Sequence, residues 1–559
     1  MTPMRPAAPR LATRTAAILV VGALTAAACG GGDSALDAGL DDEPEPETAE
    51  PADGDDEADP PELPPAETDP DQDSQVDSDD GEAGDDAGAS DGDADGAADD
   101  DPDADSDPDA SNPALAGLPD CPVDEFEVAD VEGPIEITMW FGLADQLAGV
   151  LQELTDEFNA SQGDVVVSIE NQTDYETTID NYLNLGESNR PEVLLVPEFI
   201  VQTFVESDSF VPIEACFDAA GTDTSMFLER GLTTYSYDGV QWGVPFNMSS
   251  PILYYLKPRF EAAGLDPDSP PTSFEEMRAA SEALVASGAS AYGEVVDVAR
   301  DATGARIEQW FGQLEEPFVD GGNGREARAT EALFGTETGL DLLRYLRDMR
   351  ADDLSFNVGT NAGGLDAFLK LIDPAEPGAM TVATSAGIVQ VLDALGGGIA
   401  PDLTIDDVGV GYLPGPDGSI AAQVGGASLW IPAGRGDLET AAAWRYIEFL
   451  TSAQSQSTWA AGTGYVPMRS DSVELDPVAT LFAEDPRFRV SYDQLAAPTG
   501  SINAARPALG PQREVRQVLA DLIATIYQDP SIDDATLQTL LDEAVAEANS
   551  LISTYNRLN

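Results

Sequence analysis

Leu147, Val150, Leu151, Leu154 and Phe158 stand at spacings of 3, 1, 3 and 4, which gathers them on one face of a helix. The β-type run Ile135–Trp140 precedes that helix. Val165–Ile169 then reads as a strand, Tyr175–Leu185 as a helix and Glu192–Val196 as a strand. A β-α-β-α-β order predicts a parallel or mixed sheet covered by helices. Further on, Met380–Ala383 and Ala427–Ile431 read as strands, and Ser273–Ser287, Gly339–Met349, Leu438–Leu450 and Gln512–Tyr527 as helices. Some 440 residues of this kind exceed what one core serves, so at least two lobes are expected.

The N-terminus is an address. Arg5, Arg10 and Arg14 precede the apolar run Ala16–Ala28, which is shorter than the roughly 20 residues a membrane span needs. Leu24-Thr25-Ala26-Ala27-Ala28-Cys29-Gly30 resembles a bacterial lipobox, with Ala26 where that pattern prefers Leu. The resemblance implies a leader over 1–28 and a lipidated Cys29; a plain secretory leader is the other reading. Residues 29–112 then form an acidic tether, poor in aromatic and β-branched residues, and too polar to offset the entropy of ordering. About 80 such residues reach on the order of 50 Å as a coil. The tether has no calcium loop with its terminal Glu. The folded body is expected over 113–559.

Charge narrows the chemistry further. Lys plus Arg total 25 against 105 Asp plus Glu, a net charge of −80, so recognition of nucleic acid through phosphates is excluded. Residues 31–120 hold 35 acids and no Lys or Arg, leaving 22 basic and 70 acidic residues in 121–559. The body is therefore acidic in its own right, which favours a monomer and fits a saline habitat. The chain has no histidine, which removes Ser-His-Asp triads, Cys-His dyads and His-ligated zinc. Its three cysteines form no C-x-x-C. Outside the cytoplasm, Cys121 and Cys216 are expected to pair, with two buried thiols as the alternative.

No P-loop and no G-x-S-x-G elbow occurs. Gly409-Val410-Gly411 is followed by Pro414 where a dinucleotide fingerprint has its third glycine, and it reads as a loop; Gly321-Gly322-Asn323-Gly324 reads as a turn. Three other stretches suit a binding cleft. Val244–Pro251 sets an Asn and two hydroxyls between prolines, Val424–Trp430 opens on a glycine pair, and Gly462–Pro467 holds a tyrosine in a rigid turn.

Taken in order, Pro245-Phe246-Asn247, Leu253-Tyr254-Tyr255, Ala263-Gly264-Leu265-Asp266-Pro267, Pro270-Pro271-Thr272, Gly425–Trp430, Gly464-Tyr465-Val466-Pro467 and Leu509-Gly510…Arg516 resemble the extracellular solute-binding proteins of ABC importers. Within that family the likeness is to the sn-glycerol-3-phosphate-binding branch, and it extends over nearly all of 130–555. The resemblance implies an α/β, two-lobe periplasmic-binding-protein-like (type II) fold. A hinge joins its interleaved lobes, with crossovers near 245–255 and 385–430 and the ligand between them. It implies a non-catalytic, monomeric, lipid-anchored receptor outside the cytoplasm, without cofactor or metal, that delivers its ligand to membrane permease subunits.

Carried over residue by residue, Tyr175 and Glu198 match the positions at the glycerol end; Ser249, Thr384, Gly426, Tyr465 and Arg516 match those around the phosphate. The residue types suit the task. Hydroxyls, a glycine N–H and an Arg fork can wrap a tetrahedral anion, and a carboxylate accepts from adjacent hydroxyls. The likeness breaks over 295–312, where the branch often has a tryptophan pair. Here Val296–Ala305 has no aromatic, and Trp310 lies further along. Lost bulk there makes room for a larger ligand such as glycerophosphocholine. Arg300 and Arg306 read as solvated helix charges, with extra phosphate contacts as the alternative. The competing readings are a sugar-binding protein of the same superfamily, which has no need of Arg516, a secreted carbohydrate- or phosphodiester-cleaving enzyme, and an acidic surface protein.

Overall fold

The computed structural model describes residues 112–128, 133–186, 189–299, 304–359 and 366–559. The leader 1–28, Cys29, the acidic segment to 111 and Arg300 lie outside these described residues.

Two sheets share the strands. In the first, β1 (Ile135–Phe141) lies parallel to both β2 (Val165–Asn171) and β3 (Val193–Pro197). Beside β3 runs β13 (Gly425–Pro432), antiparallel to it, to β4 (Phe210–Val211) and to β7 (Val244–Ser249). A two-stranded ribbon of β5 (Ser236–Tyr237) and β6 (Val240–Gln241) stands apart. The second sheet holds β8 (Pro251–Leu256), β9 (Glu294–Val296), β10 (Ser355–Asn357), β11 (Met380–Thr384) and β12 (Val408–Gly411), in the order β10-β9-β11-β8-β12.

The chain changes sheet twice. Ser250 alone separates β7 from β8, and residues 412–424 lead back from β12 to β13. The first sheet is thus built from chain on both sides of the excursion that forms the second, and the fold is a two-lobed α/β architecture. Helices Glu337–Ala351, Gln512–Gln528 and Asp534–Leu558 share an apolar core with Trp310, Phe311 and Phe318.

The helix Tyr175–Asn184 shows how local sequence sets position. The Asp174 carboxylate accepts from Thr177 N–H at 2.7 Å, capping the first turn. Gly142 admits that turn, since a Cβ there would lie 2.1 Å from the Asp174 carbonyl carbon. Beneath β3 and β13, Phe204 stacks on Phe210 at 4.6 Å and Trp430 meets Phe210 edge-on at 5.2 Å. Each such buried ring contributes about 1.5–3 kcal/mol. A disulfide joins Cys121 to Cys216.

Two expectations are corrected. Gly409-Val410-Gly411 lies in β12 rather than in a loop, because Gly409 packs under the Tyr255 ring; a Cβ there would meet that ring at 2.1 Å. Arg306 is buried rather than solvated, its Nη1 donating to Glu294 at 3.1 Å. Burial pushes the Glu294 carboxyl upward, and Arg306 works against that shift. Trp310 is a core side chain, edge-on to Phe274 at 4.9 Å, with its indole N–H on the Pro414 carbonyl.

Candidate ligand-binding site

The first crossover gathers four of the seven expected contact residues. Ser249 ends β7 and pairs with Gly425 at the start of β13. Its neighbour Ser250 is pinned: Ser385 N–H donates to the Ser250 carbonyl at 2.9 Å, and Gln494 Nε2 donates to its hydroxyl at 2.7 Å. Thr384 ends β11 opposite Pro251, with its carbonyl accepting from Tyr254 at 2.9 Å. Gly426 has φ +102°, and a Cβ there would lie 2.0 Å from the Asn247 carbonyl oxygen. Only glycine satisfies both conditions. Tyr465 stacks on Trp459 at 5.9 Å, and the next residue, Val466, donates its N–H to Met248 in β7.

Tyr175 and Glu198 reach the same place from the first lobe. Asn247 Nδ2 donates to the Tyr175 hydroxyl at 2.7 Å. Ala427 of β13 pairs with Asn247 on one side and with Pro197, the residue before Glu198, on the other. Asn247 Oδ1 and Glu198 Oε2 are both buried acceptors without a hydrogen-bond partner among the described residues. Buried acceptors normally find donors, so this pair calls for one.

Arg516 lies on carboxylates. Its Nε and Nη2 donate to Glu308 at 2.9 and 2.8 Å, and Nη2 also reaches Glu198 at 3.2 Å. Arg506 joins the cluster, with Nη1 on Glu308 at 3.1 Å and Nε on the Val424 carbonyl at 2.6 Å. The four side chains are 7% exposed or less. Their formal charges cancel, which is what makes such burial tolerable.

Neither Arg506 nor Glu308 was among the residues picked out from the sequence. The one signal for Arg506 was a lone cation in the run Ala504-Ala505-Arg506-Pro507-Ala508. Arg506 Nη2 makes no hydrogen bond among the described residues. That nitrogen and Ser249 Oγ lie 3.7 and 3.4 Å from the point where a Cβ on Gly425 would stand.

The turn Gly321–Gly324 holds this loop. Asn323 Nδ2 donates to the Ala505 carbonyl at 2.9 Å, and Ala508 N–H donates to the Asn323 carbonyl. Arg325 Nε donates to the Arg506 carbonyl at 2.7 Å. Burial pulls the Arg325 guanidinium down to about 10. About one turn before Arg516 on the same helix, Arg513 pairs with Glu176 and lies over the Phe199 ring at 5.5 Å. Among the described residues no group of three or more His, Cys, Asp or Glu is placed to hold a metal.

The candidate site thus gathers two buried acceptors, Glu198 Oε2 and Asn247 Oδ1, and two donors, Ser249 Oγ and Arg506 Nη2, with Arg506 Nε 3.6 Å from Glu198 Oε1. Residues 153–489 match the family described as bacterial extracellular solute-binding protein. The sn-glycerol-3-phosphate-binding periplasmic protein UgpB of Pectobacterium atrosepticum is 24% identical over 448 residues, covering 77% of this chain and 94% of that protein. The protein of the same name from Yersinia pseudotuberculosis is 24% identical over 434 residues, with 76% and 94% covered. Among solved structures, UgpB from Mycobacterium tuberculosis in complex with glycerophosphocholine superposes with a TM-score of 0.55 at 20% identity, covering 74% of this chain and 99% of that one. The cyclic alpha-maltosyl-1,6-maltose binding protein from Arthrobacter globiformis superposes at 0.61 and 20% identity, with 76% and 100% covered.

Proposed function

The chain belongs to the bacterial extracellular solute-binding proteins, and on that premise we propose that the ligand it captures for an ABC importer is a glycerol phosphate ester. The ligand is sn-glycerol-3-phosphate or a glycerophosphodiester such as glycerophosphocholine. The observation that carries this reading is the polarity of the site. Glu198 Oε2 and Asn247 Oδ1 accept at one end, where the adjacent hydroxyls of a glycerol donate. Ser249 Oγ and Arg506 Nη2 donate at the other, where a phosphate accepts.

Tyr175 fixes Asn247 at the glycerol end. Thr384, Gly426 and Tyr465 complete the phosphate end, and Arg516 orients Glu198 between them. The two relatives named for sn-glycerol-3-phosphate support the same class. Closure of the lobes about the junction at Ser250 presents the filled receptor to the permease subunits, while Cys29 carries the lipid anchor and 30–112 the tether.

A thermal-shift panel on the purified chain tests this reading. Glycerol-3-phosphate, glycerophosphocholine, maltose and trehalose are compared at fixed salt. A ligand of the native state adds about 2.7 kcal/mol at a hundredfold excess over its dissociation constant. A shift with a phosphate ester that disappears in Arg506→Gln is expected. A shift with a sugar alone refutes the phosphate ester and leaves the importer receptor standing.

A further inference from the structure

We propose that Glu308 is the specificity-determining residue that sets the charge of the ligand, excluding dianionic phosphomonoesters in favour of esters that carry no net charge. The inference rests on the phosphate-ester reading above and deepens it.

Glu308 is fully buried on the helix Ala305–Gln313 and touches both arginines of the site. It occupies Nε and Nη2 of Arg516 and Nη1 of Arg506, and Gln512 Nε2 also approaches it, at 3.4 Å. Glu198 lies against the same Arg516 nitrogen. With Arg325, the buried cation on the Arg506 carbonyl that also faces Glu198, three cations stand against two carboxylates, so the cluster balances one negative charge and not two.

A monoester brings close to two negative charges and three terminal oxygens. Placed here, it faces Glu308 and Glu198 across the arginines, with Arg506 Nη2 the guanidinium nitrogen beside Ser249 Oγ. Losing its hydration for so few donors is costly. A diester brings one negative charge and two terminal oxygens, for which Arg506 Nη2 and Ser249 Oγ suffice. When its second alcohol carries a quaternary ammonium, the ligand is a zwitterion. The cationic end then also meets an acidic body, with 22 basic against 70 acidic residues in 121–559. Glu308 therefore works by repulsion of the wrong ligand as much as by support of the right one.

Calorimetry of the purified chain with glycerol-3-phosphate and glycerophosphocholine, on the unaltered protein, Glu308→Gln and Glu308→Asp, tests the proposal. The unaltered protein is expected to prefer the zwitterion by on the order of tenfold, the scale of one charge-assisted hydrogen bond. Glu308→Gln is expected to move the ratio of the two affinities toward the monoester by a similar factor, and Glu308→Asp to restore the original ratio. Equal affinities or a preference for the monoester in the unaltered protein overturns the proposal, even where Glu308→Gln fails to fold. So does a Glu308→Gln ratio that stays put, although glycerophosphocholine binding would then leave the phosphate-ester reading standing. If the unaltered protein binds neither ester, that reading falls on its own. Inorganic phosphate then probes Glu308 directly: stabilisation of Glu308→Gln alone supports the charge role, and its absence overturns it.

Discussion

Gly426 is held by two independent constraints, a left-handed φ of +102° and an approach to the Asn247 carbonyl that leaves no room for a Cβ. Gly426→Ala is therefore expected to destabilise the protein by at least about 1–2 kcal/mol from the backbone alone and to abolish ligand binding. Urea unfolding and calorimetry read the two effects separately. Arg516→Ala strips Glu308 of two of its hydrogen bonds and Glu198 of its closest cation, so a loss of about 3–5 kcal/mol is expected, read as a lower urea midpoint at unchanged slope. Glycine pairs and a tyrosine between glycine and proline are legible in sequence because turns demand those residues locally. The partnership of Glu308 with Arg506 and Arg516 was not legible, because it joins positions some 200 residues apart that no local pattern links. Arg516 itself was found through its resemblance to a phosphate contact, and what it holds became visible only with the carboxylates in place.

Strands such as β1 and helices such as Gln512–Gln528 are readable from periodicity, since one face of each meets a core and the other does not, whereas β3, buried along its whole length, reads as a continuous apolar run. Periodicity gave less where an element is buried on all sides. The helix Ala305–Gln313 carries Arg306, Glu308 and Gln309 wholly inside the protein, paired with groups from other elements, and so reads as a solvated helix in sequence. β12 was obscured for a different reason: Gly409 answers to the Tyr255 ring and Gly411 to Pro270, and neither to a turn. The disulfide ties the segment before the helix Glu125–Val128 to the helix Ile213–Ala220 across a separation of 95 residues. Replacing both cysteines by serine is expected to cost about 4–5 kcal/mol on the chain-entropy account, measured as the change in unfolding free energy of the double variant.

The molecule as a whole carries a net charge of −80, and its acidic surface repels itself most strongly at low ionic strength. Its melting temperature is expected to rise with sodium chloride as the Debye length falls from about 30 Å at 0.01 M to about 3 Å at 1 M, measured by differential scanning calorimetry. A melting temperature independent of salt would show that surface repulsion contributes nothing. The same field opposes the approach of an anion, so recognition of the proposed ligand rests on short-range donors and acceptors at the junction of the two sheets. Those are what the two crossovers assemble: β7 and β13 bring Asn247, Ser249 and Gly426 together, and the loop before the last helices brings Arg506. The most direct measurement is a crystal structure of the protein with glycerophosphocholine. The phosphate is predicted within hydrogen-bond reach of Ser249 Oγ and Arg506 Nη2, with the glycerol hydroxyls on Glu198 and Asn247. A ligand bound away from these four side chains, or with its phosphate against Glu198, would contradict the account.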